Sequence, residues 1–361
     1  RGALQLGILF AVLYGLVSLF GASRLIGFFK LNSPEVIAQA EWYVRIACGL
    51  VIFSYLNAIL TGLLTAAGNS RTPFIVNVAG LVFNVVLDPV LIFGIGPFPE
   101  LGVSGAAAAT VTAQALVSLL FFRAVLREKV LFPHLRLWVL VPVKVWREIV
   151  RIGVPSAVQN LIYAGISMIL TRLITGWGDL AVAAQRVGSQ IESVSWMVGD
   201  GFSAAVNAFL GQNYGAKRYD RVRRGYFCAI AMTAAWGLCT TFLLIGMARP
   251  LFSIFLQEEE VMALGVNYLR IVGLSQMFMM VEQTSIGAFS GLGRTLYPSI
   301  VSVTFTSARI PVAVLLSSVM GLSGIWWALS ISSMVKGCIL FVSFVLFLYV
   351  FLERKKDEKT V

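Results

Sequence analysis

The sequence predicts an all-α polytopic membrane protein built as two lobes of helices, and three observations predict it. The 361 residues are 58% hydrophobic and only 12% charged, about half the charged share usual in soluble domains. Apolar segments of about 20 residues recur along the whole length, each able to cross a hydrocarbon core of about 30 Å. One long stretch is present twice: residues 43–73, YVRIACGLVIFSYLNAILTGLLTAAGNSRTP, recur without a gap as 268–298, YLRIVGLSQMFMMVEQTSIGAFSGLGRTLYP. Arg45 matches Arg270, Gly62 matches Gly287, Gly68 matches Gly293 and Pro73 matches Pro298, each pair 225 residues apart. The likeness extends to Gly102-Val-Ser-Gly105 with Gly321-Leu-Ser-Gly324, and to Arg1-Gly2 with Arg224-Gly225. Internal repeats of this length in an apolar chain point to two halves related by a pseudo-two-fold, with a site where they meet.

Taken in order, the spans are predicted at 4–28, 42–64, 74–93 and 103–125, then 152–175, 180–210, 226–247, 262–289, 297–319 and 322–352. Residues 1–126 form an N-lobe of four spans and residues 152–352 a C-lobe of six. The connector between them, 127–151, is basic and carries Pro133 and Pro142. Its segment 143–152 is amphipathic enough to lie along a membrane surface as a short helix. The tail, 353–361, is a solvated charge run. The second copy carries two spans ahead of the matched region, and the first has no equivalent. The repeat therefore predicts two further spans before Arg1: ten helices present of an expected twelve.

Lys and Arg fall in alternate loops. Arg1, Arg71, Arg127, Lys129, Arg147, Lys217, Arg224, Arg294 and Lys355 mark the crowded side, and Arg24, Lys30, Arg172, Arg249 and Arg270 the sparse one. The positive-inside bias puts the crowded side, and both ends of this chain, in the cytoplasm, with the protein multi-pass in the cell's inner membrane. A net charge of +11 does not indicate nucleic acid, because no basic patch with interleaved aromatics forms. Cys48, Cys228, Cys239 and Cys338 lie in apolar segments without CxxC spacing and read as buried packing thiols. The single histidine, His134, lies in the connector, so no metal site is expected, and no catalytic constellation or phosphate loop is present. Arg1 leads straight into a span, with no cleavable signal in view.

Polar side chains at membrane depth are costly and are functional candidates by default. Span 74–93 carries Asn77, Asn84 and Asp88 on one face, spaced 7 and 4. Asp88 precedes Pro89, which frees a carbonyl and lets the helix bend. A carboxyl in a low-dielectric site can exist in either protonation state beside an amide that binds both, which suits a proton-coupling site. Span 103–125 offers Thr110, Gln114 and Ser118, each four apart. Span 152–175 places Ser156, Asn160, Tyr163, Ser167 and Thr171 at 4, 3, 4 and 4. Span 180–210 places Gln185, Ser189, Glu192, Trp196, Asp200, Ser203 and Asn207 at 4, 3, 4, 4, 3 and 4. Two such stripes on adjacent helices predict a shared water-accessible cavity, with helix–helix hydrogen bonding as the plainer alternative. Glu282 stands at the repeat position of Asn57, and Arg309 at that of Asn84; a buried Glu282–Arg309 ion pair is one expectation. Lys336, deep in the last span, either pairs with a carboxylate or snorkels. Met277, Met279 and Met280 supply a soft, repackable surface.

Three motifs carry a resemblance: Phe83-Asn-Val-Val-Leu-Asp-Pro-Val-Leu-Ile-Phe-Gly94, Ala67-Gly-Asn-Ser-Arg-Thr-Pro73 and Gly211-Gln-Asn-Tyr-Gly-Ala216. Together they resemble the multidrug and toxic compound extrusion (MATE) transporters, a family with twelve helices in two six-helix lobes. The resemblance implies a secondary-active antiporter that exports organic cationic or amphiphilic compounds against inward H⁺ or Na⁺ by alternating access. It makes Asn84 and Asp88 the counterparts of the Asn and Asp on the family's fifth helix, and Thr110 that of a Thr on the sixth. In a bacterial and archaeal branch these join an Asp of the first helix in a proton-responsive cluster. The Glu that another branch carries on the seventh helix is replaced by Tyr163 or a neighbour. The expected coupling residues are then Asp88, Asn84, Thr110 and Glu282. The expected cavity residues are Glu192, Asp200, Asn160, Tyr163, Gln185, Trp196, Gln114, Asn57, Met279 and Arg309. The expected partners are small organic substrates and the bilayer, for a monomer without a cofactor and without catalysis. Two alternatives stand beside this: a lipid-linked oligosaccharide flippase of the same superfamily, and a non-transporting membrane scaffold subunit. A flippase calls for a strongly cationic cavity, against which Glu192 and Asp200 weigh.

Overall fold

The computed structural model describes residues 1–27, 33–127 and 139–357. Lys30, Lys129, Pro133, His134, Arg136 and the tail's end, 358–361, lie outside the described residues, so the readings made on them are not addressed below. In lipid every backbone N–H and C=O must be satisfied within its own segment, so an apolar chain of this kind becomes helix. The helices are α1 (Gly2–Gly27), α2 (Pro34–Tyr43), α3 (Ile52–Ala66), α4 (Arg71–Phe93), α5 (Gly102–Arg127), α6 (Val143–Thr175) and α7 (Asp179–Gly215). They are followed by α8 (Tyr219–Gly246), α9 (Ala248–Ser253), α10 (Glu259–Gly273), α11 (Gln276–Gly291), α12 (Leu296–Ser307), α13 (Arg309–Met320) and α14 (Leu322–Asp357).

Among the described residues eight helices or joined helices are long and apolar enough to span a membrane, and the bent pair α10–α11 makes nine. The tenth expected span is α7. Its polar stripe dilutes its apolar character over 37 residues, which is why it stands apart from the others. Large apolar side chains such as Phe20, Phe74 and Leu161 are exposed, as a lipid-facing surface requires. The four cysteines are free, and Cys228, Cys239 and Cys338 are exposed. The expectation that they are buried is wrong, because apolar sequence neighbours in a membrane chain mark the lipid face as readily as the core.

The chain divides into two compact units, Arg1–Ile149 and Val150–Val361. The core of the first gathers Leu4, Leu60, Leu64, Val76, Val117 and Phe121. The second has three apolar clusters, centred on Tyr226 with Phe344, on Tyr268 with Trp326, and on Ile174 with Ile325. Segment 143–152, expected as a separate surface helix, is instead the opening of α6 and runs unbroken into the span. Pro155 sits inside that helix without ending it.

The repeat glycines have physical reasons. Gly68 (φ 90°) ends α3, with the Asn69 N–H reaching the Leu64 carbonyl and the Gly68 N–H the Thr65 carbonyl. Gly293 (φ 71°) ends α11 with the same pair of bonds, Arg294 to Phe289 and Gly293 to Ser290. This is a left-handed cap that glycine adopts without strain, used at the same place in both copies. Gly105 and Gly324 serve close approach: a Cβ would collide with the backbone of Leu91 in one copy and of Leu316 in the other.

The helix break is repeated too. A π-helical turn, Val44–Cys48, precedes α3 in the first copy. In the second, α10 stops at Gly273 and α11 starts at Gln276, with a bend of 50°. The carbonyls beside that bend are occupied by side chains. Ile271 accepts from Ser330 at 2.8 Å, Val272 from Ser275 at 2.8 Å and Gln276 at 3.2 Å, and Gly273 from Thr241 at 2.9 Å. The interruption at Ala308 follows from Pro311, whose ring excludes the carbonyl four residues earlier, that of Ser307.

Adding a methyl at Gly324 should therefore destabilise the second unit by about 1–3 kcal/mol through overpacking. Gly165→Ala, where the new methyl meets nothing within 4 Å, should be neutral or gain about 0.5–1 kcal/mol from helix propensity. Thermal unfolding of the two variants in detergent, followed by tryptophan fluorescence, checks the contrast.

Candidate functional site

Within the second unit, α6, α7 and α10 to α14 enclose a cavity of about 810 Å³, in the size range of small-molecule sites. The stripes of α6 and α7 both face it: Asn160 and Tyr163 from α6, and Gln185, Glu192, Trp196 and Asp200 from α7. Met279 and Glu282 of α11, Arg309 of α13 and Lys336 of α14 complete the wall. Nine of the residues expected at the coupling site and cavity, from α6, α7, α11 and α13, are thus brought to one space, with Lys336 of α14 beside them. Asn207, last in the α7 stripe, is not among the lining residues.

Each charge in this space has a defined setting. Glu192 accepts two neutral hydrogen bonds, from the Tyr268 hydroxyl at 2.9 Å and the Gln276 amide at 3.0 Å. Tyr268 is buried and packs edge-on against Trp326, whose indole N–H donates to Gln185 at 3.0 Å. Gln185 and Glu192, two turns apart on α7, are therefore fixed through α10, α11 and α14. Asp200 is more open and accepts from Gln283 at 3.0 Å.

Glu282 does not pair with Arg309. Its carboxylate lies 2.8 Å from the Lys336 ammonium, both side chains less than 10% exposed. Arg309 donates instead to the hydroxyls of Ser332 and Ser333, each at 3.0 Å, with the Tyr163 ring 5.9 Å from its guanidinium carbon. The expected pair rested on repeat positions, which place residues on helices but leave open which neighbour each one faces. The compact ammonium on α14 meets Glu282 across the contact between α11 and α14, so Lys336 neither snorkels nor stands alone.

The first-unit candidates form two clusters of their own. Asn57 is buried and links α3 to α5, donating to the Gln114 side chain at 2.8 Å and accepting from Ser118 at 2.8 Å. Asn84 donates to Asp88 at 3.3 Å, both half-buried on α4. Thr110 is exposed on α5, with no hydrogen bond to either among the described residues. Glu282 and its repeat partner Asn57 thus make equivalent braces, α11 to α14 in one unit and α3 to α5 in the other. One is ionic and the other is amide-based.

The sequence reading missed Tyr268, Gln276, Gln283, Ser332 and Ser333. Gln276 and Gln283 stand seven apart on α11, a period that would have marked the face turned to α7. The adjacent serines of α14 show no such period.

Apolar spans around a polar cavity define an α-helical multi-pass membrane protein. The MatE family model matches residues 1–90 and 155–315, and the chain belongs to that family. It is 30% identical over 316 residues to a probable multidrug resistance protein NorM of Thermotoga maritima, covering 84% of this chain and 66% of that relative. It is 25% identical over 280 residues to an FAD transporter of Shewanella oneidensis, covering 76% of this chain and 61% of the relative. The chain therefore spans just under two thirds of these relatives' length. Its fold matches a MOP superfamily transporter from Pyrococcus furiosus with a TM-score of 0.88 at 20% identity, over 97% of this chain and 78% of the other.

Removing one partner of the buried ion pair leaves an uncompensated charge, so Lys336→Met should cost about 3–5 kcal/mol. The double variant Glu282→Gln with Lys336→Met should recover most of it. Unfolding midpoints of the single and double variants in one detergent check this cycle.

Proposed function

We propose that this chain supplies the transport pathway of a secondary-active antiporter that exports organic cationic or amphiphilic compounds in exchange for H⁺ or Na⁺. The observation that carries the reading is the second unit's cavity, where three carboxylates, two arginines and a lysine line a space of drug size. Structural ion pairs alone do not call for an open space beside them. Exposed Asp200 and half-buried Glu192 offer carboxylate oxygens toward a basic solute. Trp196, Tyr163 and Met279 offer apolar surface that adapts to varied shapes. The names of the relatives, probable multidrug resistance proteins among them, support organic cargo.

Ion coupling is assigned to Asp88 with Asn84, and to Glu282. Among the described residues Asp88 has a single long hydrogen bond, from Asn84, beside a proline that relaxes the helix, so its occupancy by H⁺ or Na⁺ can bias one conformation over another. The loop charges support an inner-membrane topology with both ends of this chain in the cytoplasm.

Asp88→Asn should abolish gradient-driven dye export from membrane vesicles while the protein remains in the membrane fraction. The imposed gradient, ΔpH or Na⁺, that drives the wild-type chain identifies the coupling ion. Undiminished export by the variant would overturn the role of Asp88.

A further inference from the structure

We infer that the junction of α8 and α14, at the end where Lys and Arg crowd the loops, is a docking site for an anionic phospholipid. The headgroup phosphate meets Arg223, and an acyl chain runs along the exposed apolar face of α14. The site lies on the outer surface of the second unit and is independent of what the cavity carries.

The turn from α7 into α8 and the start of α8 carry Lys217, Arg218, Arg221, Arg223 and Arg224, all exposed, against one acid, Asp220. Such a cluster attracts the anionic lipids of the cytoplasmic leaflet. Arg223 is set apart from the rest of it. Its guanidinium donates to the Tyr349 hydroxyl at 2.7 Å, and its central carbon stands 4.6 Å from the centre of the same ring. An exposed arginine is thus held in one place by a second helix. Tyrosine is neutral, so the charge is not cancelled, and no carboxylate among the described residues lies at ion-pair distance from Arg223. A guanidinium has five N–H donors, and the fork left over by Tyr349 matches two oxygens of a phosphate. Arg294 likewise rests on a ring of α14, 4.6 Å from the centre of Phe347.

The surface leading away from Arg223 is apolar. Val342, Leu346 and Tyr349 stand 4 and 3 apart, so they share one face of α14, and they are 52%, 58% and 41% exposed. On α8, Phe227 and Ile230 follow Arg223 by 4 and 7 residues and pack partly buried against the cluster of Tyr226 and Phe344. The two helices meet there through those rings, whose centres are 4.3 Å apart. A fixed cation therefore stands at the head of an exposed strip about 10 Å long. A phospholipid matches both parts, with its phosphate at the cation and its chain on the strip. A free phosphate or an acidic protein segment matches the charge alone.

Native mass spectrometry of the purified chain in detergent, titrated with dioleoyl phosphatidylglycerol or dioleoyl phosphatidylcholine, tests this. The first phosphatidylglycerol should bind about tenfold more tightly than the first phosphatidylcholine. Arg223→Gln should weaken phosphatidylglycerol about fivefold, the factor for one cation beside an anionic lipid. Tyr349→Leu, which keeps the strip and releases the arginine, should also weaken it. Arg71→Gln, which removes another exposed cation of the crowded loops, should leave it unchanged. Equal affinity for the two lipids, equal losses in the Arg223 and Arg71 variants, or wild-type affinity in Tyr349→Leu would each overturn the inference. Displacement of phosphatidylglycerol by inorganic phosphate at matched concentration would overturn it too, by showing a site for the anion without its chains.

Discussion

Lipid supplies no hydrogen bonds, and that constraint orders the rest of the molecule. A polar side chain within an apolar span must find its partner on another helix, so each one becomes a tie between helices or a wall of a polar space. The second unit shows both outcomes. Tyr268, Trp326, Gln185 and Gln276 tie four helices together around Glu192. Asp200 and Arg309 are left with capacity beyond the bonds the protein gives them.

The repeat shows how one scaffold accommodates different chemistry. The matched positions Asn57 and Glu282 brace corresponding helices in the two units, by amide hydrogen bonds with Gln114 in the first and by an ion pair with Lys336 in the second. Caps at Gly68 and Gly293, close contacts at Gly105 and Gly324, and the breaks near Cys48 and Gly273 are common to both. The backbone geometry was copied and the polar content diverged. In the second unit, α6 and α7 turn that brace into part of a cavity wall.

Much of this is legible in the sequence. Span positions follow from apolar length, and the α6 and α7 stripes follow from period alone, because a polar residue in an apolar helix has few reasons to repeat every three or four positions. What periodicity cannot encode is which neighbour a side chain meets. Repeat position points Glu282 to Arg309 where Lys336 stands opposite, and it gives no sign that the amides of Asn57 and Gln114 meet. The bend at Leu274 had no sequence flag beyond Gly273, because it is held by hydroxyls from Thr241 and Ser330, far along the chain. The cysteines misled because burial against protein and exposure to lipid leave the same apolar signature.

That bend has a mechanical meaning. With donors from α8 and α14 fastened to its carbonyls, the angle between α10 and α11 cannot relax without surrendering several hydrogen bonds in a solvent that offers no substitutes. The segment is a crank rather than a joint. Tyr268 lies on one arm and Glu282 on the other, so one stiffened segment carries both the hydroxyl that Glu192 accepts from and the carboxylate that meets Lys336.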